Sequence, residues 1–218
     1  MEADIRDIES TRARMVADQI EARGISDPRV LAAMRAVPRH EFVPERWRES
    51  AYRDRPLPIG SGQTISQPYI VAAMTELAAL QPDSRVLEVG TGCGYQAAVL
   101  QEVAAEVYTI EIVEELARSA EETLARLGYA AVRVRHGDGY RGWPEAAPFD
   151  AILVTAAAPR VPQPLLEQLS PGGRLVIPVG EGFQELEVHT RTSHGIEVRR
   201  VFSVRFVPMT GEIREPAP

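Results

Sequence analysis

Three glycines stand at alternate positions, Gly90, Gly92 and Gly94, between the apolar run Val86-Leu87-Glu88-Val89 and the helix-favouring run Tyr95-Gln96-Ala97-Ala98-Val99-Leu100. Glycine is needed where the backbone takes φ > 0 or must approach a ligand with no Cβ in the way. Strand, glycine turn and helix, in that order, form the binding edge for adenosine-containing cofactors in doubly wound α/β proteins. The spacing here is G-x-G-x-G. The dinucleotide fingerprint G-x-G-x-x-G needs its last glycine at position 95, which is Tyr95, so an NAD-dependent dehydrogenase is disfavoured. Two acids close later apolar runs. Glu111 ends Val107-Tyr108-Thr109-Ile110, where a carboxylate can hold ribose hydroxyls. Asp138, in Gly137-Asp138-Gly139 after Ala131-Val132-Arg133-Val134, is placed to meet an adenine amino group or a ribose. In the alternative reading both acids cap the helices behind them, because carboxylates favour helix N-termini.

A second segment, Gly60-Ser61-Gly62-Gln63-Thr64-Ile65-Ser66-Gln67-Pro68-Tyr69, crowds small and hydroxylated residues into a turn before a helix. Chemistry alone leaves Ser66 as an N-cap, since no histidine or acid at useful spacing marks it as an activated nucleophile. The four histidines and one cysteine show no metal-ligand spacing, so no metal is expected. Cys93, inside the glycine turn, reads as a small space-filler with nothing nearby in sequence to lower its pKa.

The elements that carry these residues follow from periodicity. Residues 4–37 read as two helices: Ile5, Ile8, Met15, Val16 and Ile20 form a stripe ended by Gly24, and Asp27-Pro28 starts a second helix that Pro38 stops. Segment 38–68 is rich in proline and glycine and lacks periodicity. A loop of that length is usually functional or disordered, and its aromatic and aliphatic residues favour an ordered, functional one. A helix follows Pro68. Strands are predicted near 85–89, 106–110, 131–135, 149–154 and 173–179, with helices near 94–104, 113–127 and 162–169. Near-continuous apolar strands such as Ala151-Ile152-Leu153-Val154 fit a parallel sheet covered on both faces. Alternating runs at 184–191 and 196–207 predict a closing antiparallel hairpin, and the tail 214–218 is expected to fray.

The expected fold is therefore α/β: a doubly wound, Rossmann-like, mostly parallel sheet with helices on both faces, a closing antiparallel hairpin and an N-terminal helical extension. One domain, 1–218, divides into N-terminal helices and substrate loop (1–84), cofactor-binding core (85–180), and hairpin with tail (181–218). With 218 residues the core needs no staples. A net charge of −7 argues against nucleic acid as partner. The absence of a long apolar run or a basic-then-apolar leader argues against a membrane, and a single cysteine fits a reducing cytoplasm. All 24 basic residues are arginine, which removes Schiff-base and pyridoxal-phosphate chemistry and a Walker-A lysine.

The glycine trio with both acids resembles the class I S-adenosylmethionine-dependent methyltransferases. Pro56-Leu57-Pro58-Ile59-Gly60, Gly62-Gln63-Thr64-Ile65-Ser66-Gln67-Pro68-Tyr69, Arg135-His136-Gly137-Asp138-Gly139, Val154-Thr155-Ala156-Ala157-Ala158-Pro159 and Val204-Arg205-Phe206-Val207-Pro208 extend the resemblance to the protein-L-isoaspartate O-methyltransferase family over roughly 10–212. Cys93 and Met209 are mild departures, standing where serine and leucine are usual. The resemblance implies a monomer that transfers the methyl of S-adenosylmethionine to the free α-carboxylate of L-isoaspartyl residues in damaged proteins, releasing S-adenosylhomocysteine. The ester then collapses to a succinimide, which begins repair. A carboxylate is already ionised at neutral pH, so no general base is required.

By motif position, Ser66 orients the acceptor carboxylate and Thr64 and Ile65 line the methyl-donor pocket. Glu88, Gly90, Gly92 and Gly94 surround the cofactor, with Gly90 and Gly92 near its methionine part. Glu111 binds the ribose, and Asp138 with Gly139 meets adenine. Val207 and Pro208 offer backbone hydrogen bonds to the substrate peptide, and Thr210 touches substrate or cofactor. The alternatives are a methyltransferase acting on another substrate and a non-catalytic cofactor-binding protein.

Overall fold

The computed structural model describes residues 2–215. Helix α1 (Glu2–Arg14) runs into one π-helical turn (Met15–Ile20) whose Met15, Val16 and Ile20 are buried, and Gly24 closes it at φ 97°. The side chain of Ile5 lies outside the described residues. Helix α2 (Pro28–Ala36) starts as its sequence dictates, with Asp27 accepting the Arg29 N–H and proline in the first turn.

The segment 38–68 is ordered. Two 3-10 turns (Arg39–Phe42 and Glu45–Ser50) lead to an antiparallel pair, β1 (Leu57–Gly60) and β2 (Gln63–Ile65). Ser61 and Gly62 join the pair with φ of 49° and 71°. Positive φ at both loop positions is the two-residue hairpin geometry that matches strand twist.

Helix α3 (Pro68–Ala78) precedes the main sheet. Its strands are β3 (Arg85–Val89), β4 (Glu106–Glu111), β5 (Arg133–His136), β6 (Phe149–Val154), β7 (Leu169–Val179), β8 (Gln184–Thr192) and β9 (Gly195–Val204). Their order is β5-β4-β3-β6-β7-β8-β9; pairs from β5 through β7 are parallel and the last two antiparallel. Helices α4 (Tyr95–Gln101), α5 (Glu114–Arg126) and α6 (Gln163–Glu167) lie in the crossovers. The mostly parallel, doubly wound sheet with its closing hairpin is the architecture expected from sequence.

Strand alternation feeds two cores. Along β6, Ala151 and Leu153 enter the layer packed with the N-terminal helices, while Ile152 and Val154 enter the opposite one, and all four are fully buried. The order reverses between β3 and β6, and the crevice at the carboxyl ends of those strands is where an open α/β sheet binds ligands.

Several boundaries differ from expectation: α4 ends at Gln101 rather than 104 and α6 at Glu167 rather than 169. β5 begins at Arg133 rather than 131, and β9 stops at Val204 rather than 207. β7 starts at Leu169, because Leu169 pairs with Phe149 across an irregularity that absorbs Pro171-Gly172-Gly173. The expected fraying is overturned at Arg214 and Glu215. Arg214 donates to the Met209 carbonyl and pairs with Glu181, and the Glu215 carbonyl accepts from Arg160. Positions 216–218 lie outside the described residues.

Candidate active site

Three adjoining cavities open at the carboxyl ends of β3, β4 and β6. The first is a cleft between the glycine turn, the end of β4 and the segment Val207–Thr210, with Thr64 at its mouth. The second is a groove of about 920 Å3 between Thr64, Ser66, Gln67 and Tyr69 on one side and Phe202–Val207 on the other. The third is a small inner pocket between them, walled by Ile65, Ser66, Glu88 and the glycine turn. Thr64 and Thr155 line all three, and Ser66 lines the groove and the inner pocket.

The turn after β3 is built for a close approach. Gly90 takes φ 99°, and a Cβ there would stand 2.4 Å from Thr155 Oγ1. Across the cleft, a Cβ on Gly139 would stand 2.3 Å from Val89 Cγ1. A side chain at either position would collide with its neighbour and displace a residue that lines the cleft. Glu111 is buried and accepts the Gly92 N–H at 2.8 Å and the Val113 N–H at 3.0 Å, one on each oxygen. Each carboxylate oxygen has further acceptor capacity, so Glu111 ties the turn while still facing the cleft.

Glu88 is fully buried at the floor of the inner pocket. Thr109 donates to its Oε2 at 2.6 Å and lies 2.6 Å from the Thr91 hydroxyl, whereas Oε1 has no partner among the described residues. Burial pushes its carboxyl up to about 8; the Thr109 hydrogen bond opposes that shift, and the Glu111 charge adds to it. An acidic oxygen left without a donor at the wall of a pocket can take a ligand's ammonium.

Ser66 is not an N-cap. Gln67 precedes α3 and makes no side-chain cap, and the Ser66 hydroxyl bonds no protein group among the described residues. Its backbone is held instead by Arg39, which is fully buried. Arg39 Nη2 donates to the Ser66 carbonyl and Nε to the Ala51 carbonyl, each at 2.7 Å, with the guanidinium 4.8 Å from the Tyr95 ring centroid. No carboxylate pairs with Arg39 among the described residues, and burial lowers its pKa.

Two expected cofactor residues, Gly94 and Asp138, do not line the three cavities. Gly94 is buried at the start of α4, where its φ of 89° begins the helix, and a Cβ would press Leu124 rather than a cavity. Asp138 accepts the Tyr140 N–H at 2.9 Å and the Glu212 N–H at 2.7 Å, one on each oxygen, so it caps the turn that follows and, like Glu111, keeps further acceptor capacity. Gly139, Val207, Pro208 and Thr210 do line the cleft. The Val207 carbonyl accepts from Ala157, while the Val207 N–H and Pro208 carbonyl have no backbone partner among the described residues. Burial pushes the Cys93 thiol up to about 11, consistent with an inert space-filler. No group of three potential metal-ligating side chains occurs among the described residues.

Sequence reasoning missed Thr155 and Arg39. The signal for Thr155 was its place at the carboxyl end of β6 beside the switch point; for Arg39 there was none.

A family model described as protein-L-isoaspartate(D-aspartate) O-methyltransferase matches residues 10–214. A protein-L-isoaspartate O-methyltransferase of Picosynechococcus sp. is 60% identical over 200 residues, covering 92% of this chain and 90% of that one. One from Opitutus terrae is 61% identical over 203 residues, covering 92% and 87%. A solved protein-L-isoaspartate O-methyltransferase superposes with TM-score 0.84 at 29% identity, covering 93% of this chain and 67% of that one. A second, a putative enzyme of that name from Plasmodium falciparum in complex with S-adenosyl-L-homocysteine, gives 0.78 at 28% identity, covering 91% and 98%.

Proposed function

The chain belongs to the protein-L-isoaspartate(D-aspartate) O-methyltransferase family, and from that premise we propose how its own residues carry out the reaction. The enzyme transfers a methyl group from S-adenosylmethionine to the free α-carboxylate of L-isoaspartyl residues, which starts their repair through a succinimide. When bound, the cofactor supplies a methyl carbon already activated by the sulfonium.

The protein's part is to hold, orient and exclude water, contributions worth roughly 7–11 kcal/mol in well-aligned reactions. The Glu88 Oε1 without a protein partner receives the cofactor's ammonium. Gly90 and Gly92 pass beside its methionine arm, and Thr64 and Ile65 close the pocket over the donor. Glu111 accepts the ribose hydroxyls on its remaining lone pairs, and Gly139 with Val89 forms the flat wall for adenine. The Ser66 hydroxyl, free of protein partners and set between groove and inner pocket, donates to one oxygen of the acceptor carboxylate and turns the other toward the methyl. The Val207 N–H and Pro208 carbonyl pair with the substrate backbone, and Thr210 closes the cleft. The observation that carries this reading is the adjacency of the glycine turn and the Thr64-Ile65-Ser66 wall within one inner pocket.

We read 1–218 as one methyltransferase domain, monomeric and cytoplasmic, acting on isoaspartyl proteins and not on nucleic acid. Its net charge of −7 and single cysteine support that reading, and no helix among the described residues is long and apolar enough to cross a membrane. The test uses labelled S-adenosylmethionine and two peptides that differ only in Asp against isoAsp, with base-labile methyl ester counted. Selective labelling of the isoAsp peptide is expected, and equal or absent labelling would sink the assignment.

A further inference from the structure

Thr155 stands at the only place among the described cavities, besides Thr64, where cofactor cleft, substrate groove and inner pocket meet. Its hydroxyl proton is already committed: Oγ1 lies 2.6 Å from the Gly90 carbonyl and 3.1 Å from the Val89 carbonyl, and both of those oxygens can only accept. A hydroxyl has one proton and two lone pairs. With the proton fixed on the glycine turn, what Thr155 has left for the cavity junction is acceptor capacity alone. Its backbone is equally fixed, since the Thr155 N–H donates to the Val89 carbonyl at 2.9 Å. The oxygen therefore cannot swing round to act as a donor without breaking the contact that orders Gly90.

An acceptor-only oxygen is unsuited to a carboxylate, which brings no proton. It suits the other group that must reach this junction, a methyl whose C–H bonds are polarised by a neighbouring positive sulfur. Resting on the function proposed above, we propose that the Thr155 hydroxyl oxygen is a further catalytic residue that accepts C–H···O contacts from the transferring methyl and aims it at the carboxylate held by Ser66. No bond to Thr155 forms or breaks. The methyl passes from sulfur to the carboxylate oxygen, and the sulfur keeps the electron pair.

The test compares S-adenosylmethionine with S-adenosylhomocysteine, which lacks only the methyl and its charge. Calorimetry on the full chain measures both affinities for wild type, Thr155→Val and Thr155→Ser. Thr155→Val is expected to weaken the methylated ligand about threefold or more beyond its effect on the demethylated one, the scale of one or two such contacts. It is also expected to lower kcat on an isoAsp peptide by roughly tenfold through lost alignment. Thr155→Ser restores both. If Thr155 only braces Gly90, both ligands weaken equally, and that result would overturn the proposal.

Should the valine variant not fold, Thr155→Ala takes its place in a second measurement. The proton signal of bound methyl-13C S-adenosylmethionine is expected downfield of the free ligand in wild type and less so in the variant. An unmoved signal refutes the contact. Failure of wild type to label the isoAsp peptide would defeat the functional assignment instead, and leave the ligand comparison readable.

Discussion

Replacing Glu88 by glutamine is expected to make the protein more stable and its cofactor site worse. The carboxyl is fully buried, with one oxygen unpartnered, and is pushed from an ordinary 4.5 up to about 8, mainly by burial. Below the unfolded value the group is protonated in both states and costs nothing. Between there and about 8 the unfolded chain has released its proton while the folded chain retains it, so stability falls as pH rises. Above the folded value both states are ionised and the penalty stays constant. At about 1.4 kcal/mol per unit, the stability gap between Glu88→Gln and wild type should widen by about 3 kcal/mol from pH ~5.5 to pH ~8.5. Urea unfolding at the two pH values measures the gap, and the other titrating groups, common to both proteins, largely cancel. S-adenosylhomocysteine added to saturation should stabilise wild type more than the variant, because the amide offers the ligand's ammonium no charge. Parallel pH profiles, or equal stabilisation by ligand, would refute the placement of this carboxylate.

Ser66→Ala should lower kcat about 100-fold, the loss expected of one orienting donor, with S-adenosylhomocysteine affinity nearly unchanged by calorimetry. An unaltered rate would leave Ser66 without a chemical role. Glu111→Ala should act on the other quantity, weakening S-adenosylhomocysteine by roughly 10- to 100-fold through lost charged hydrogen bonds; wild-type affinity would dismiss the ribose contact. Arg39→Met leaves the Ser66 and Ala51 carbonyls unbonded, so kcat/KM for the isoAsp peptide should fall by about tenfold or more while cofactor affinity holds, with Arg39→Lys intermediate. Steady-state kinetics and calorimetry on the same preparations decide that case, and equal losses in both would make Arg39 a general support.

The glycine turn and the β-α alternation were legible because each depends on local pattern. The Gly90, Gly92 and Gly94 spacing follows an apolar strand, and the stripe Leu116, Ala120 and Leu124 marks α5 unaided. What stayed hidden depends on partners distant in sequence. Pro58 and Gly60 disguise β1, which exists because Leu57 pairs with Ile65 across Ser61-Gly62. Pro171-Gly172-Gly173 reads as a turn, yet Phe149 draws Leu169 into β7. Arg39 reads as a surface residue, and its burial follows from two carbonyls presented 12 and 27 residues later. At Asp138 the cap to the Tyr140 N–H is a local pattern, whereas the Glu212 N–H that meets its other oxygen arrives from the far end of the chain.

That clamp on Asp138 bears on the enzyme's own ageing. Isoaspartate forms when a side-chain carbonyl carbon is attacked by the next residue's backbone nitrogen, and asparagine followed by a small residue is the readiest source. This chain contains no asparagine, and its one Asp-Gly step is Asp138-Gly139. There both carboxylate oxygens are held by N–H groups of Tyr140 and Glu212, and an extended backbone at ψ 119° turns the Gly139 nitrogen away from the carboxyl carbon. The bond most prone to the lesion is thus kept out of reach of it by the fold, and the repair protein offers itself few substrates.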